Sequence, residues 1–279
     1  IVNKYKQFKS EITTNTALST VATDILKGLF TVCFEYLCSC NKLELISNIP
    51  NKQYYSFQNN IKFSRPVNKA LFLNDIRPVN DFWTNLIEGK IDRQSSEEIT
   101  NICYTIAMSF CCSIDLLKDK DQKTPGTFYE YFISHLVAKQ LNVVPKKEIE
   151  VLNLDMNTKL PTDLIFDLGP QKHKLHVPVK TSTRERVVQV WAHQRILDGV
   201  YGNGRFIGLL TCIGETKLDH SSLEVTEICL PDQWKLYQLF IAKLHRMYYL
   251  DVPARYAAID DECLQVKAFG DFFHENTTF

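Results

Sequence analysis

Between Pro161 and Arg195 the chain reads PTDLIFDLGPQKHKLHVPVKTSTRERVVQVWAHQR, and no other stretch restricts the fold as tightly. Alternation along an extended backbone puts Asp163, Ile165 and Asp167 on one face of a strand opened by the acid and continued by Leu164 to Leu168. In a second strand, Leu175 to Val179, the residues Leu175, Val177 and Val179 point one way, and Lys174, His176, Pro178 and Lys180 the other. Gly169-Pro170 supplies the turn of a hairpin that brings Asp163 beside Lys180. From Glu185 to Leu197 the spacing of Val187, Val190, Trp191 and Leu197 is that of a helix packed on a core.

The rest of the chain extends this pattern. Apolar positions from Thr14 to Cys40 recur near 3.6 residues, which predicts one or two helices. Asn41 to Asn80 reads as loops and short segments, Asp81 to Ile91 as a helix, and Ser96 to Lys118 as a helix capped by Ser95 or Ser96, with Glu97 and Glu98 in its first turn. Beyond a turn-prone break at Asp119 to Gly126, the expected order is a helix (Thr127 to Leu141), three strands (the first from Glu148 to Leu154), a helix, two strands (Phe206 to Ile213 and Val225 to Leu230) and a closing helix (Gln233 to Leu250). The chain thus divides into a mainly helical region over 1–120, suited to recognition or dimerisation, and an α/β core over 121–279.

Composition narrows the class. A chain of 279 residues with 45% apolar and 23% charged side chains buries a full core. Its formal net charge of zero argues against coating nucleic acid by bulk electrostatics. Positive charge instead gathers locally: Lys172, Lys174, Lys180, Arg184, Arg186 and Arg195 face the single acid Glu185, while compensating acids such as Asp260, Asp261 and Glu262 lie elsewhere. The nine cysteines fall mostly in apolar stretches without C-x-x-C pairs, so they read as reduced core residues and not as zinc ligands. Without a leader pattern or an uninterrupted membrane-length run at Leu29 to Leu37, the expectation is a cytoplasmic protein with no membrane partner.

A carboxylate and an ammonium delivered by adjacent strands to one pocket suit metal-assisted phosphodiester hydrolysis. A divalent ion bridges carboxylate and scissile phosphate, and a fixed cation orients the attacking water or stabilises developing charge. Asp163 and Lys180 are the candidates for these tasks. Together with the following Thr-Ser-Thr-Arg-Glu-Arg, this layout resembles the PD-(D/E)XK nuclease core, especially that of type II restriction endonucleases, over about Thr127 to Leu230.

The resemblance implies a restriction-endonuclease-like core, with a mixed central sheet flanked by helices, that cleaves double-stranded DNA with Mg2+ to leave a 5′-phosphate and a 3′-hydroxyl. It also implies the backbone carbonyl of Val179 as a metal ligand. Two departures stand out: the Pro-Asp pair is split as Pro161-Thr162-Asp163, and Pro178 occupies the position of the acid two residues before the lysine. Because hard divalent ions take several oxygen ligands, a second carboxylate has to come from elsewhere. Glu130, spaced as Gly126-x-x-x-Glu130 on its helix, is the favoured source. Glu185 is another, on the segment where some relatives place this acid near the position of Gln194.

Arg184, Arg186, Gln189, His193 and Gln194 form a cationic and amide-bearing side suited to phosphate or base-edge contacts with DNA. A homodimer matches a two-fold symmetric target. A structure-specific repair or junction nuclease and a DNA-binding module with an inactive core are the rival readings.

Overall fold

The computed structural model describes residues 1–151, 158–184, 187–259 and 263–275. Helices α1 (Val2–Thr14) and α2 (Thr20–Cys38) lead into four short strands, β1 (Asn41–Glu44), β2 (Ile46–Ser47), β3 (Tyr54–Gln58) and β4 (Val67–Asn68). Helices α3 (Arg77–Glu88), α4 (Ser96–Leu117) and α5 (Lys123–Leu141) follow, then strands β5 (Lys146–Glu150), β6 (Lys159–Asp167), β7 (Lys174–His176) and β8 (Val179–Lys180). The chain continues with α6 (Val188–Tyr201), β9 (Phe206–Cys212), β10 (Thr216–Leu218), β11 (Glu224–Glu227), α7 (Pro231–Phe240), β12 (Arg246–Tyr249), α8 (Ala254–Ala257) and β13 (Val266–Ala268), and a 3-10 turn spans Phe269–Phe273.

Local chemistry sets several of these boundaries. Ser95 and Glu98 form a reciprocal capping box at the start of α4, satisfying two N–H groups that have no partner within the helix. Helix α5 begins four residues earlier than its apolar spacing indicates. The Asp121 carboxylate accepts from the Thr124 N–H at 2.9 Å and from its hydroxyl at 2.6 Å, and Pro125 is tolerated in a first turn, where an N–H has no helical partner. These hydrogen bonds hold the Asp121 pKa down at about 2.

The central sheet has the order β13-β12-β9-β7-β6-β5, with β8 paired to β9 beyond the end of β7. It is mixed: β5, β6 and β7 pair antiparallel, whereas β7, β8, β9, β12 and β13 run parallel. On one face Leu164, Phe166, Leu175, Val177, Val179 and Leu209 join an interior shared with α1, α2, α4 and α5. On the other, Ile165, Phe206, Leu210, Cys212, Met247 and Tyr249 pack beneath α6 and α7, where Trp191 and Trp234 are buried.

Several elements differ from the sequence expectation. The stretch expected as one helix from Gln233 to Leu250 is α7 followed by β12, a strand flanked by β9 and β13. Met247, Tyr248, Tyr249 and Leu250 are buried on alternating faces, and a strand covered on both sides gives a continuous apolar run that helical spacing also accommodates. The region Asn41 to Asn80 contains a three-stranded sheet, β1-β3-β4, and β2 pairs with β11 in another. Strand β11 therefore belongs to the sheet β10-β11-β2 and not to the central one. Strand β6 starts at Lys159, so Asp163 lies mid-strand and does not open it. The first core strand is β5, over Lys146–Glu150; its expected continuation over 152–154 lies outside the described residues, as do Asp260, Asp261 and Glu262.

Among the described residues, which include all nine cysteines, no disulfide is formed, and six of the cysteines are buried. Helix α4 is long and apolar enough to cross a membrane, but 89% of that window is buried inside the protein.

Candidate active site

Pro178 interrupts the second hairpin strand between β7 and β8, because it offers no N–H to a ladder. The alternation nevertheless persists across the break. Leu175, Val177 and Val179 enter the α5-side interior, and His176 and Lys180 project on the α6 side with Asp163. The register pairs Ile165 with His176, which brings the chain beyond His176 alongside Asp163.

Lys180 Nζ donates to Asp163 Oδ2 at 2.7 Å, and the Val179 N–H donates to the same oxygen at 2.8 Å. Both side chains are about a quarter exposed, at 26% for Asp163 and 29% for Lys180. The Thr211 N–H donates to the Pro178 carbonyl and the Ile213 N–H to the Lys180 carbonyl. Because backbone groups alternate in a strand, the Val179 carbonyl points away from β9, toward the edge that carries Asp163.

Beneath this pair lies a buried polar relay. His176 is 1% exposed, and its Nδ1 is 3.0 Å from Gln194 Oε1; Gln194 Nε2 donates to Asp198 Oδ1 and to the Phe206 carbonyl, both at 3.0 Å. The amide oxygen must then accept, so His176 Nδ1 carries the proton. Burial pulls the His176 pKa down to about 4, and the hydrogen bond to Gln194 opposes that shift. His193 stands next to this relay, with ring centroids 6.5 Å apart. Burial lowers its pKa as well, with Asp163 acting against the shift and Lys180 with it.

The other expected site residues are distributed differently. Glu130 is on α5, across the sheet from α6, and forms an ion pair with Lys147 of β5. Arg184 and Gln189 are exposed and His193 is half-buried. Gln194, expected on the DNA-facing side, is instead 1% exposed. The space for it comes from Gly208, where a Cβ would stand 2.7 Å from Gln194 Oε1. Arg186 and Glu185 lie outside the described residues. Among the described residues, no three His, Cys, Asp or Glu side chains converge to hold a metal. Glu215 was not indicated by the sequence at all: it is a loop carboxylate buried to 1% exposure beside Thr183, with no periodic pattern around it to mark it.

A mixed sheet between two helical layers, with an Asp and a Lys meeting on adjacent strands, is a type II restriction-endonuclease-like fold. The solved structure of the Type IIP restriction endonuclease Kpn2I is similar to this chain with a TM-score of 0.85 and 28% identity, over 98% of this chain and 94% of that one. A complex of the restriction endonuclease PspGI with substrate DNA matches at a TM-score of 0.40 and 14% identity, over 71% of this chain and 78% of that one, a level that adds nothing to the assignment. No protein-family model and no curated protein matches the chain.

Proposed function

We propose that this chain is a type II site-specific endodeoxyribonuclease that hydrolyses double-stranded DNA with Mg2+ and acts as a homodimer. The observation that carries this reading is the 2.7 Å contact between Lys180 and Asp163, set in a fold shared with Kpn2I over nearly its whole length.

The donors available to Mg2+ fit the ion's habits. Mg2+ is commonly bound by one or two carboxylates together with substrate phosphate oxygens and retained waters. Asp163 and the Val179 carbonyl would hold it; Glu130, paired with Lys147 on the α5 side of the sheet, would have to leave that pair and also reach round to the Asp163 side to join them. Bound there, the ion would lower the pKa of a coordinated water and neutralise charge building on the phosphate.

The protein's own groups have distinct tasks. The Lys180 ammonium has three donors, and with one directed to Asp163 the others are free to orient a water or a non-bridging phosphate oxygen. His176 and Gln194, neutral and buried, support the strand and helix that present Lys180 and His193. Arg184 and Gln189, both exposed, would meet phosphates or base edges, and a second copy would present the same set to the opposite strand of a symmetric site.

Incubation of plasmid DNA with the protein and Mg2+ tests this reading, with chelator as control. Discrete fragments are expected from the wild type, and none with chelator or with Asp163→Ala. Cleavage governed by DNA structure and not by sequence would instead favour a repair or junction nuclease. Pro178 in the acid position favours one further reading, a DNA-binding module with an inactive core. Retained DNA binding without cleavage in either Mg2+ or Mn2+ would establish that alternative.

A further inference from the structure

The segment that leaves Lys180 is strapped to the loop after β9. The Ile213 N–H donates to the Lys180 carbonyl at 3.3 Å and the Gly214 N–H to the Thr181 carbonyl at 3.4 Å. Glu215 then takes over with its side chain. Its Oε1 accepts from the Thr183 N–H at 2.9 Å and from the Thr183 hydroxyl at 2.5 Å, and its Oε2 lies 3.1 Å from the same N–H. From β12 the Tyr249 hydroxyl donates to Oε1 at 2.9 Å, and the Cys212 thiol lies 3.7 Å away.

These donors are all neutral, and both Glu215 and Thr183 are buried. Burial raises the Glu215 pKa, and hydrogen bonds from Thr183, Tyr249 and Cys212 pull it back down. Taking a carboxylate out of water is unfavourable, and an apolar side chain would fill the same space without that penalty. What an apolar residue would not do is hold the Thr183 N–H and hydroxyl together.

Thr183 stands between two residues of the site, three positions after Lys180 and one before Arg184. Arg184 has φ 30, in a region that non-glycine residues disfavour, and its side chain is exposed. The chain therefore leaves the sheet through a constrained turn fixed at Thr183.

We propose that Glu215 is a positioning residue: by fixing Thr183 it sets where the Lys180 ammonium and the Arg184 guanidinium stand relative to each other, coupling DNA contact to cleavage. This rests on the nuclease reading above. A misplacement of about 1 Å in a reacting group can cost about 100-fold in rate. Glu215→Ala is accordingly expected to lower kcat roughly 10- to 100-fold with a much smaller change in KM. It should also narrow the ratio of cleavage rates between the recognised site and sites altered by one base pair. Glu215→Gln is expected to recover most of both, because its amide oxygen accepts the Thr183 N–H and its amide nitrogen can donate to the Thr183 hydroxyl.

Hydrogen exchange at the Thr183 amide reads the clamp without DNA: slow in the wild type and Glu215→Gln, fast in Glu215→Ala. Should Glu215→Ala fail to fold, Thr183→Ala, which removes the hydroxyl bond alone, takes its place with a smaller loss in the same direction. Unchanged rates and site ratios in a folded variant, unchanged exchange, or a Glu215→Gln as impaired as Glu215→Ala would overturn the proposal. A wild type that cuts no DNA would sink the nuclease reading and this proposal with it, whereas an active wild type with indifferent variants would sink the clamp alone.

Discussion

Lys180 and Asp163 are 17 residues apart in sequence, yet their charged atoms meet at 2.7 Å across β6 and β8. Because both are partly exposed, the pair contributes at most about 1 kcal/mol to stability. Lys180→Ala and Asp163→Asn should therefore fold and melt within a few degrees of the wild type, while cleavage falls by about 100-fold or more. Thermal melts and plasmid digestion, run side by side, check both halves; two folded variants that cut normally would remove these residues from the mechanism.

Stability should weaken in mild acid through two buried histidines. His135 Nδ1 is 2.7 Å from the Ala17 carbonyl, which only accepts, so Nδ1 carries a proton; burial keeps the ring neutral near pH 7, and Nε2 then accepts from the Thr23 hydroxyl at 2.9 Å. Burial lowers the pKa of His135, as of His176, from 6.5 to about 4. The unfolded chain binds these protons first, so the stabilisation is complete above pH 6.5, declines as pH falls, and is lost below about 4. Denaturant midpoints measured from pH 7 to 4.5 should show this decline, and His135→Gln should make it shallower.

Arg184 offers a test of phosphate contact against base contact. If its guanidinium grips a phosphate, Arg184→Ala should weaken binding to all sequences alike and reduce the slope of log affinity against log salt by about 1. If it reads a base, discrimination at one position should relax instead. Titrations at several salt concentrations, on recognised and altered sites, separate these outcomes.

The carboxy-terminal turn docks on the start of α4 through a close approach at Gly270. Its N–H donates to the Thr100 hydroxyl at 2.9 Å, and a Cβ built there would stand 1.9 Å from the Ser96 carbonyl oxygen. Backbone cannot yield cheaply, so Gly270→Ala should destabilise the protein by about 3 kcal/mol, at the upper end of typical overpacking costs. Chemical denaturation measures this directly.

The Asp163 and Lys180 meeting was legible in the sequence because a period of two survives the Pro178 interruption, and α4 was legible from its apolar spacing and its Ser95 cap. Strand β12 was not, since burial on both faces erases alternation and leaves Met247 to Leu250 looking like the continuation of α7. Gln194 departs from its expected exposure for a different reason. Helical spacing marks a polar residue as outward-facing, and only the contact with Gly208, 14 residues later, shows that an amide fits within. Glu215 left no local trace, because its partners Thr183 and Tyr249 are each more than 30 residues away.

The interior beneath the α5 face of the sheet draws together Phe8 of α1, Leu29 of α2, Phe110 of α4, Phe128 of α5 and Leu164 of β6. The boundary expected near residue 120 therefore cuts through shared packing, and a fragment starting at Asp121 would lay Phe128, Phe132 and Leu136 open to water. Any graft of the Asp163 centre onto another scaffold would have to carry the amino-terminal helices along, as the wall against which its own sheet is built.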